Sequence, residues 1–229
     1  MILSHKHKFL FLKVPKAAGT SLEIALSKVC GPEDVLTPIS KKDEETRRRE
    51  GGRTAQNYRL PLRQYTWKDW WKLLTKREPK AFFNHISAEE LMELLDPDIW
   101  DTYRTFAFVR NPWDQVASLY YWRNKKGAYG EFESFLQTEW IDRLEWRTRV
   151  ICRPNDEWVL DDYLRFEELE EELHRFLREL GVKELPSVGH SKGGYRKDKG
   201  DYRELYDNTT RQMVVDRFGW LIEKFDYRF

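Results

Sequence analysis

Short apolar runs alternate with amphipathic stretches along most of this chain, and this alternation limits the folds that it can adopt. Four runs, at residues 9–12, 81–84, 105–109 and 158–166, are each predicted to form a strand. A stretch with helical spacing of apolar residues follows each run. Strands that alternate with helices pair mostly in parallel and need helices on both faces of the sheet. We therefore expect an α/β fold, a single domain over residues 1–229 with a central, mostly parallel sheet flanked by helices.

Local end signals mark several of the predicted helices. An S-x-x-E capping box lies at residues 87–90, and the Asn-Pro pair at residues 111–112 is typical of a helix start. Gly181 is predicted to end an acidic helix over residues 167–180. The last helix is expected at about residues 209–225, where apolar residues recur on one face.

The composition excludes several classes of partner at the level of the whole chain. Forty Lys and Arg against 39 Asp and Glu leave a net charge of +1, so the charge of the whole chain points neither to nucleic acid nor to an anionic membrane. No nucleic acid partner is expected, and any anion site must be local. The apolar run at residues 9–12 is too short and too closely flanked by charge for a signal peptide or a membrane span. Cys30 and Cys152 fit no metal-binding spacing, and free thiols predict a reducing, cytoplasmic location.

The segment KVPKAAGTS, residues 13–21, joins the first predicted strand to a helix and is the first candidate site. Thr20 or Ser21 is the expected N-cap of that helix, and the N–H groups at a helix start attract anions. An ordinary strand-to-helix turn with an exposed lysine is the alternative for this segment taken alone. A triphosphate-binding loop requires lysine directly after its last glycine, whereas Lys16 precedes Gly19. A nucleotide kinase, which would also need a Mg²⁺ carboxylate, therefore has weak support.

Two further polar residues come directly after predicted strands. His85 follows the run at residues 81–84, and Arg110 follows the run at residues 105–109. Ligands of parallel sheets bind beyond the carboxyl ends of the strands. We therefore expect the loop around Lys16, His85 and Arg110 to converge on one crevice.

Four segments, in order along the chain, resemble one known family. KVPKAAGTS resembles the 5′-phosphosulfate-binding loop of the sulfotransferases that use 3′-phosphoadenosine 5′-phosphosulfate (PAPS). FAFVRNPWDQVASLYY, residues 106–121, is similar to that family's 3′-phosphate-binding element, with Arg110 at a strand end and Ser118 eight positions later. YLRFEELEEEL, residues 163–173, and the C-terminal helix are similar to segments of carbohydrate-type and bacterial members. The resemblance implies a P-loop-like sulfotransferase fold and an enzyme with PAPS as sulfuryl donor.

The resemblance also assigns roles to residues of this chain. The 5′ end of the donor is expected to bind the hydroxyls of Thr20 and Ser21 and the backbone N–H groups of five consecutive residues: Ala17, Ala18, Gly19, Thr20 and Ser21. Arg110 and Ser118 are expected to bind the 3′-phosphate. Lys16 is expected to stabilise the leaving group, in which case no metal is required. Lysine-glycine loops of the family close over the nucleotide, which adds Lys192 and Gly193 to the expected donor site.

The acceptor, a small molecule or glycan that carries a hydroxyl, needs a base to remove its proton. His85 is the predicted base, because an imidazole titrates near neutral pH and this one follows a strand at the binding edge. Other members of the family use a carboxylate shortly after the first helix. Glu33 and Asp34 therefore remain alternatives.

Three stretches lie outside these assignments. Residues 41–57 are highly charged and are expected to form a solvated loop or a mobile lid, and residues 191–200 a flexible basic loop. Three tryptophans and a leucine within residues 67–74 recur at helical spacing and are expected to pack in the core. A non-catalytic glycan-binding module that uses these aromatic rings is the alternative function. The oligomeric state stays open.

Overall fold

The computed structural model describes residues 1–124, 127–189 and 200–229. Its strands are β1 (Ile2–Ser4), β2 (Phe9–Leu12), β3 (Val35–Leu36), β4 (Arg104–Val109) and β5 (Asp162–Arg165). Its helices in the first half are α1 (Gly19–Ser27), α2 (Lys41–Arg49), α3 (Trp67–Lys76), α4 (Ala88–Leu94) and α5 (Pro97–Thr102). Those in the second half are α6 (Pro112–Arg123), α7 (Phe132–Leu136), α8 (Glu139–Cys152), α9 (Leu169–Glu179) and α10 (Asn208–Phe225).

The strands form one mixed sheet in the order β3-β1-β2-β4-β5. β2 pairs in parallel with β4, and β4 pairs in parallel with β5. β1 is antiparallel to both of its neighbours, β2 and β3. Four of the five strands therefore run in the same direction, and the expected α/β fold with a mostly parallel central sheet is confirmed.

The strand assignments outside β2, β4 and β5 were wrong. β1 and β3 were not predicted, because strands of three and two residues are too short to show alternation of apolar and polar side chains. They are recognised only by their pairing with other strands, as Leu3 pairs with Leu10. Residues 81–84 do not form a strand: Ala81 makes a single bridge to Arg59, in the connection before α3. The run at residues 158–166 shortens to β5.

Aromatic side chains fill the centre of the sheet. Phe9 and Phe11 of β2 and Phe106 and Phe108 of β4 are all buried. The ring of Phe106 packs on Phe176 of α9 with centroids 4.1 Å apart. Strands that are covered on both faces are apolar throughout, which explains why β2 and β4 read as continuous apolar runs. Their burial fixes the point at which the following loops leave the sheet.

Three helix ends that carry sequence signals, at Asn111, at residues 87–90 and at Gly181, form as predicted. The side chain of Asn111 accepts a hydrogen bond from the Trp113 N–H at 3.1 Å and caps α6. The capping box at residues 87–90 is present at the start of α4. Gly181 has a φ of 76° and follows Leu180, the C-cap residue of α9, at a position where glycine adopts that angle without strain. These ends orient the helices that follow β4 and β5.

The charged segment at residues 41–57 is not simply a solvated loop. Its first part is the helix α2, which Ser40 caps by accepting a hydrogen bond from the Asp43 N–H. Arg47 is fully buried and pairs with Glu44 at 2.9 Å, one turn away on the same helix. A buried arginine anchors this helix to the protein, and its acidic first turn and basic last turn match the helix dipole.

The aromatic segment at residues 67–74 is the helix α3, as its spacing predicts, but the apolar face does not pack in the core. Trp67, Trp71 and Leu74 are 73%, 64% and 76% exposed. Leu73 and Asp69, which lie on the opposite side of the helix, are half-buried. Periodicity identified the helix and could not reveal which of its faces has a partner.

Two kinds of structural group are absent from the described part of the chain. No three His, Cys, Asp or Glu side chains lie close enough together there to hold a metal ion. Likewise, no helix of the described residues is long and apolar enough to cross a membrane.

Cys30 and Cys152 are buried free thiols, and burial raises the pKa of each well above its ordinary value.

Candidate active site

The loop between β2 and α1 contains two residues in a left-handed conformation. Lys16 has a φ of 62° and Ala18 a φ of 54°. Each such non-glycine residue costs about 1–2 kcal/mol, so the surrounding structure holds this loop in a defined shape. Backbone strain of this kind concentrates at functional sites.

The start of α1 differs from the expected one. Ala18 is the N-cap residue and α1 begins at Gly19, so Thr20 and Ser21 lie inside the first turn and neither is the N-cap. The left-handed Ala18 turns the chain into the helix two residues earlier than an N-cap at Thr20 would. Alanine provides no side-chain acceptor for the N–H groups at this helix start. Such a start is suited to an external anion.

Gly19 allows a lysine to cross the helix start. A Cβ atom on Gly19 would lie 2.5 Å from Cγ and 2.8 Å from Cε of Lys13, which is closer than carbon atoms can approach. The Lys13 ammonium continues past Gly19 and forms an ion pair with Glu23 on α1. Its Nζ also lies 3.5 Å from Oδ1 of Asn84. Lys13 therefore joins the loop, α1 and the segment before His85.

Glu23 is a fully buried carboxylate beneath this loop. Its Oε1 accepts a hydrogen bond from the Met1 amino group at 2.8 Å and another from the Thr37 hydroxyl at 3.2 Å. Burial by itself would raise the pKa of Glu23, but the charges of Met1 and Lys13 outweigh it and lower that pKa from 4.5 to about 2. Glu23 is not among the residues predicted from the sequence, although a single carboxylate within the apolar stretch LEIAL is a visible signal.

Arg110 connects the two predicted anion-binding elements. It is buried at the end of β4, and its Nη1 donates a hydrogen bond to the Lys16 carbonyl at 2.8 Å. Its Nε donates to Oδ2 of Asp114 at 2.8 Å, and its guanidinium lies 4.0 Å from the centroid of the Phe166 ring. These contacts fix the plane of the guanidinium. Ser118 lies two turns into α6, half-buried.

Gln115 of α6 also holds the loop between β2 and α1. It is fully buried, and its Nε2 donates to the Pro15 carbonyl at 2.7 Å and to the Thr148 hydroxyl at 3.3 Å. Its Oε1 has no hydrogen-bond partner among the described residues. Gln115 is not among the residues predicted from the sequence, because its partner Pro15 lies 100 residues away and no motif marks the pair.

His85 lies beside the start of the loop. Its φ is 59°, and its Nδ1 is 2.7 Å from the Lys13 carbonyl oxygen. Because a carbonyl only accepts, Nδ1 carries the proton and Nε2 keeps its lone pair. Burial, together with the charge of Lys13, lowers the pKa of His85 from 6.5 to about 4. The ring is therefore neutral at pH 7 and able to accept a proton at Nε2.

The structure thus brings the Lys16 loop, His85 and Arg110 together at one edge of the sheet. Glu33 and Asp34 are not part of this group. The Asp34 carboxylate accepts hydrogen bonds from the Ser4 hydroxyl at 2.7 Å and the Lys6 N–H at 3.1 Å. Ser4 pairs with Phe9, so Asp34 lies at the amino end of β2, opposite the loop.

Two residues of the expected donor site, Lys192 and Gly193, lie outside the described residues. The predicted basic loop at residues 191–200 also lies outside them, apart from its last residue. Both assignments stay predictions.

Known proteins with similar sequences and structures show the family to which this chain belongs. The chain is 33% identical over 89 residues to an uncharacterized protein of Archaeoglobus fulgidus, a match that covers 38% of this chain and 74% of that protein. Among solved structures it matches a sulfotransferase from Alicyclobacillus acidocaldarius with 17% identity and a TM-score of 0.42, over 94% of this chain and 95% of that one. The model of the sulfotransferase family matches residues 1–228. The chain therefore belongs to the sulfotransferase family.

Proposed function

We propose that this protein transfers a sulfuryl group from PAPS to a hydroxyl group of a carbohydrate or another small alcohol. The hydrogen bond from Arg110 to the Lys16 carbonyl is the observation that carries the proposal. It joins a buried cation at one strand end to a helix-start loop at the next. PAPS carries a 5′-phosphosulfate and a separate 3′-phosphate, so it requires two anion sites at a fixed separation. The loop between β2 and α1 and the buried Arg110 would provide these two sites.

The residues of the loop and of α6 fit the donor chemically. The helix start at Gly19 follows an N-cap that lacks a side-chain acceptor, and its N–H groups would bind the 5′-phosphosulfate. Arg110 would bind the 3′-phosphate, with Ser118 adding a hydroxyl. Asp114 and the Lys16 carbonyl orient the guanidinium before any ligand arrives. When bound, PAPS would supply an activated sulfuryl group attached to its 5′-phosphate.

Lys16 and His85 would divide the chemistry between charge and proton. His85 Nε2 would accept the hydroxyl proton as the acceptor oxygen forms its bond to sulfur. Lys16 would stabilise the negative charge on the phosphate oxygen as the bond from that oxygen to sulfur breaks. Sulfuryl transfer resembles phosphoryl transfer in depending on positioning and on charge stabilisation, which the fixed loop supports.

Calorimetry with two nucleotides tests the donor assignment. We expect 3′,5′-diphosphoadenosine to bind at least about tenfold more tightly than ADP, because the 3′-phosphate adds charge-assisted hydrogen bonds with Arg110. The Arg110→Ala variant should lose this preference, whereas Arg143→Ala, which removes an exposed arginine on α8, should keep it. Tighter binding of ADP, or equal affinity for the two nucleotides, would refute PAPS as donor and favour a kinase.

The pH dependence of turnover tests His85 as the base. Because its pKa is lowered to about 4, the reactive neutral ring is fully present above about pH 5. As far as it depends on His85, kcat/KM for the acceptor should stay constant from about pH 8 to about pH 5. It should then fall as the pH decreases through about 4, because the imidazole becomes protonated. His85→Ala should lower kcat by about 10²- to 10⁴-fold.

His174→Ala is the matched control for this measurement. His174 is a partly buried histidine on α9 whose Nε2 lies 3.0 Å from the Pro186 carbonyl oxygen. Its replacement should leave both kcat and the pH profile unchanged. Unchanged turnover in His85→Ala would exclude His85 as the base.

A further inference from the structure

The exposed face of α3 is the largest concentration of apolar surface that the described residues present. Eight large apolar side chains are exposed in that part of the chain, and four of them belong to this one helix: Trp67, Trp70, Trp71 and Leu74. At 100° per residue, these four lie in a single stripe along the helix. Monomeric proteins seldom leave such a stripe uncovered, so it marks an interaction surface.

The inner side of α3 is attached to the protein, which fixes the direction of the stripe. Asp69 forms an ion pair with Lys80 at 3.2 Å and completes a capping box with Thr66. The ring of Tyr65 packs against Trp70 with centroids 5.6 Å apart. With Asp69 and Leu73 facing inward, Trp67, Trp71 and Leu74 face outward.

The segment around this helix is strongly basic in a chain that is nearly neutral. Residues 59–80 contain seven Lys and Arg and two Asp and Glu, a net charge of +5, whereas the whole chain has a net charge of +1. Lys68, Lys72 and Lys76 follow one another at four-residue intervals, and at 100° per residue this lysine row runs from beside the apolar stripe at Lys68 to the far side of the helix at Lys76. The surface that covers this helix must therefore be both apolar and negatively charged.

We propose that α3 docks on an anionic lipid bilayer, lying in the plane of the interface. The tryptophans and Leu74 enter the boundary between headgroups and acyl chains, and the lysine row contacts the lipid phosphates. Tryptophan suits this position because its ring is apolar and its N–H is polar. The proposal does not depend on the sulfuryl donor or on the acceptor.

Charge argues for a bilayer over a second copy of this chain. A symmetric dimer through α3 would place two segments of +5 against each other, which repel. A bilayer that contains acidic lipids supplies the opposite charge and an apolar layer in two separate zones. The separation of apolar stripe and lysine row along α3 matches those two zones.

Sedimentation of the full chain with lipid vesicles tests the proposal. We expect vesicles of phosphatidylcholine with about 30% phosphatidylglycerol to bind at least about tenfold more tightly than phosphatidylcholine alone, and the difference to shrink at high salt. The double variant Trp67→Ser with Trp71→Ser should bind at least about tenfold more weakly. Lys68→Ala with Lys72→Ala should reduce the preference for acidic vesicles.

Trp146→Ser is the matched control, because Trp146 on α8 is 56% exposed and lies outside this surface. It should bind vesicles like the unmodified chain. Leu74→Ser gives a second, milder change in the stripe, and circular dichroism melting verifies the fold of every variant. Equal binding to both vesicle types, or tryptophan variants that bind unchanged, would overturn the proposal. So would a dimer in sedimentation velocity that Trp67→Ser dissociates, or binding to soluble heparin that is tighter than binding to acidic vesicles.

Discussion

Lys16→Ala is expected to lower kcat by about 10²- to 10³-fold while changing the affinity for the nucleotide only a few fold. The loop that carries Lys16 is held in place by Arg110 and Gln115 through backbone carbonyls, so removal of the lysine side chain leaves the backbone of the proposed anion site intact. In the proposed mechanism, what is lost is a cation that acts mainly in the transition state, when charge moves to the leaving oxygen. Steady-state rates, together with calorimetry on the same preparations, separate the two effects.

Lys28→Ala is the matched control for that variant. Lys28 directly follows α1 and forms an ion pair with Glu50 on the surface. Surface pairs contribute little, so kcat and affinity should both be preserved. A Lys16→Ala protein with normal kcat and weakened nucleotide binding would assign Lys16 to ground-state binding.

Glu23→Gln is expected to lower the free energy of unfolding at pH 7 by about 3–5 kcal/mol, because it leaves two buried positive groups without their carboxylate. The pH dependence gives a more specific signature. A carboxylate whose pKa falls from 4.5 to about 2 on folding contributes stability that is fully present above pH 4.5. This contribution is lost as pH falls toward 2, so the difference between unmodified protein and variant should narrow in acid.

Urea unfolding at several pH values between about 7 and 3.5 measures this difference, provided that each protein is folded at zero denaturant. Glu139→Gln serves as the control, because Glu139 is an exposed residue of α8 paired with Arg143, and its replacement should change stability very little. A Glu23→Gln protein that is as stable as the unmodified one at pH 7 would mean that the buried carboxylate does not stabilise the fold. A loss that is constant across the pH range would mean that the defect is one of packing.

Much of the central architecture could be predicted because its signals are local. β2 and β4 are continuous apolar runs, and α6 begins with a capping asparagine followed by proline. From β2 and β4, the rule that ligands bind beyond the carboxyl ends of parallel strands brought Lys16 and Arg110 to one edge. His85 was expected at the same edge because a strand was predicted at residues 81–84, which form only a single bridge. The hydrogen bonds of His85 and Arg110 to the loop between β2 and α1 agree with that expectation.

The errors concern interactions that no local pattern encodes. β1 and β3 are too short to be recognised without their partners, and residues 81–84 have strand composition but no neighbouring strand. Periodicity identified α3 but could not distinguish a buried apolar face from one that awaits a partner. In the loop of the candidate site, the support from Glu23 and Gln115 depends on contacts between distant parts of the chain.

The parallel pairing of β2 with β4 determines when this site can form during synthesis. Residues 9–12 pair with residues 104–107, so the first part of the chain leaves the ribosome well before the strand that completes it. Until β4 and the start of α6 emerge, Arg110 cannot bind the Lys16 carbonyl, and Gln115 cannot bind the Pro15 carbonyl. Closing so long a loop is slow and unfavourable on its own. The proposed nucleotide would therefore bind only chains that have completed this step, and its binding would stabilise the fold as a whole.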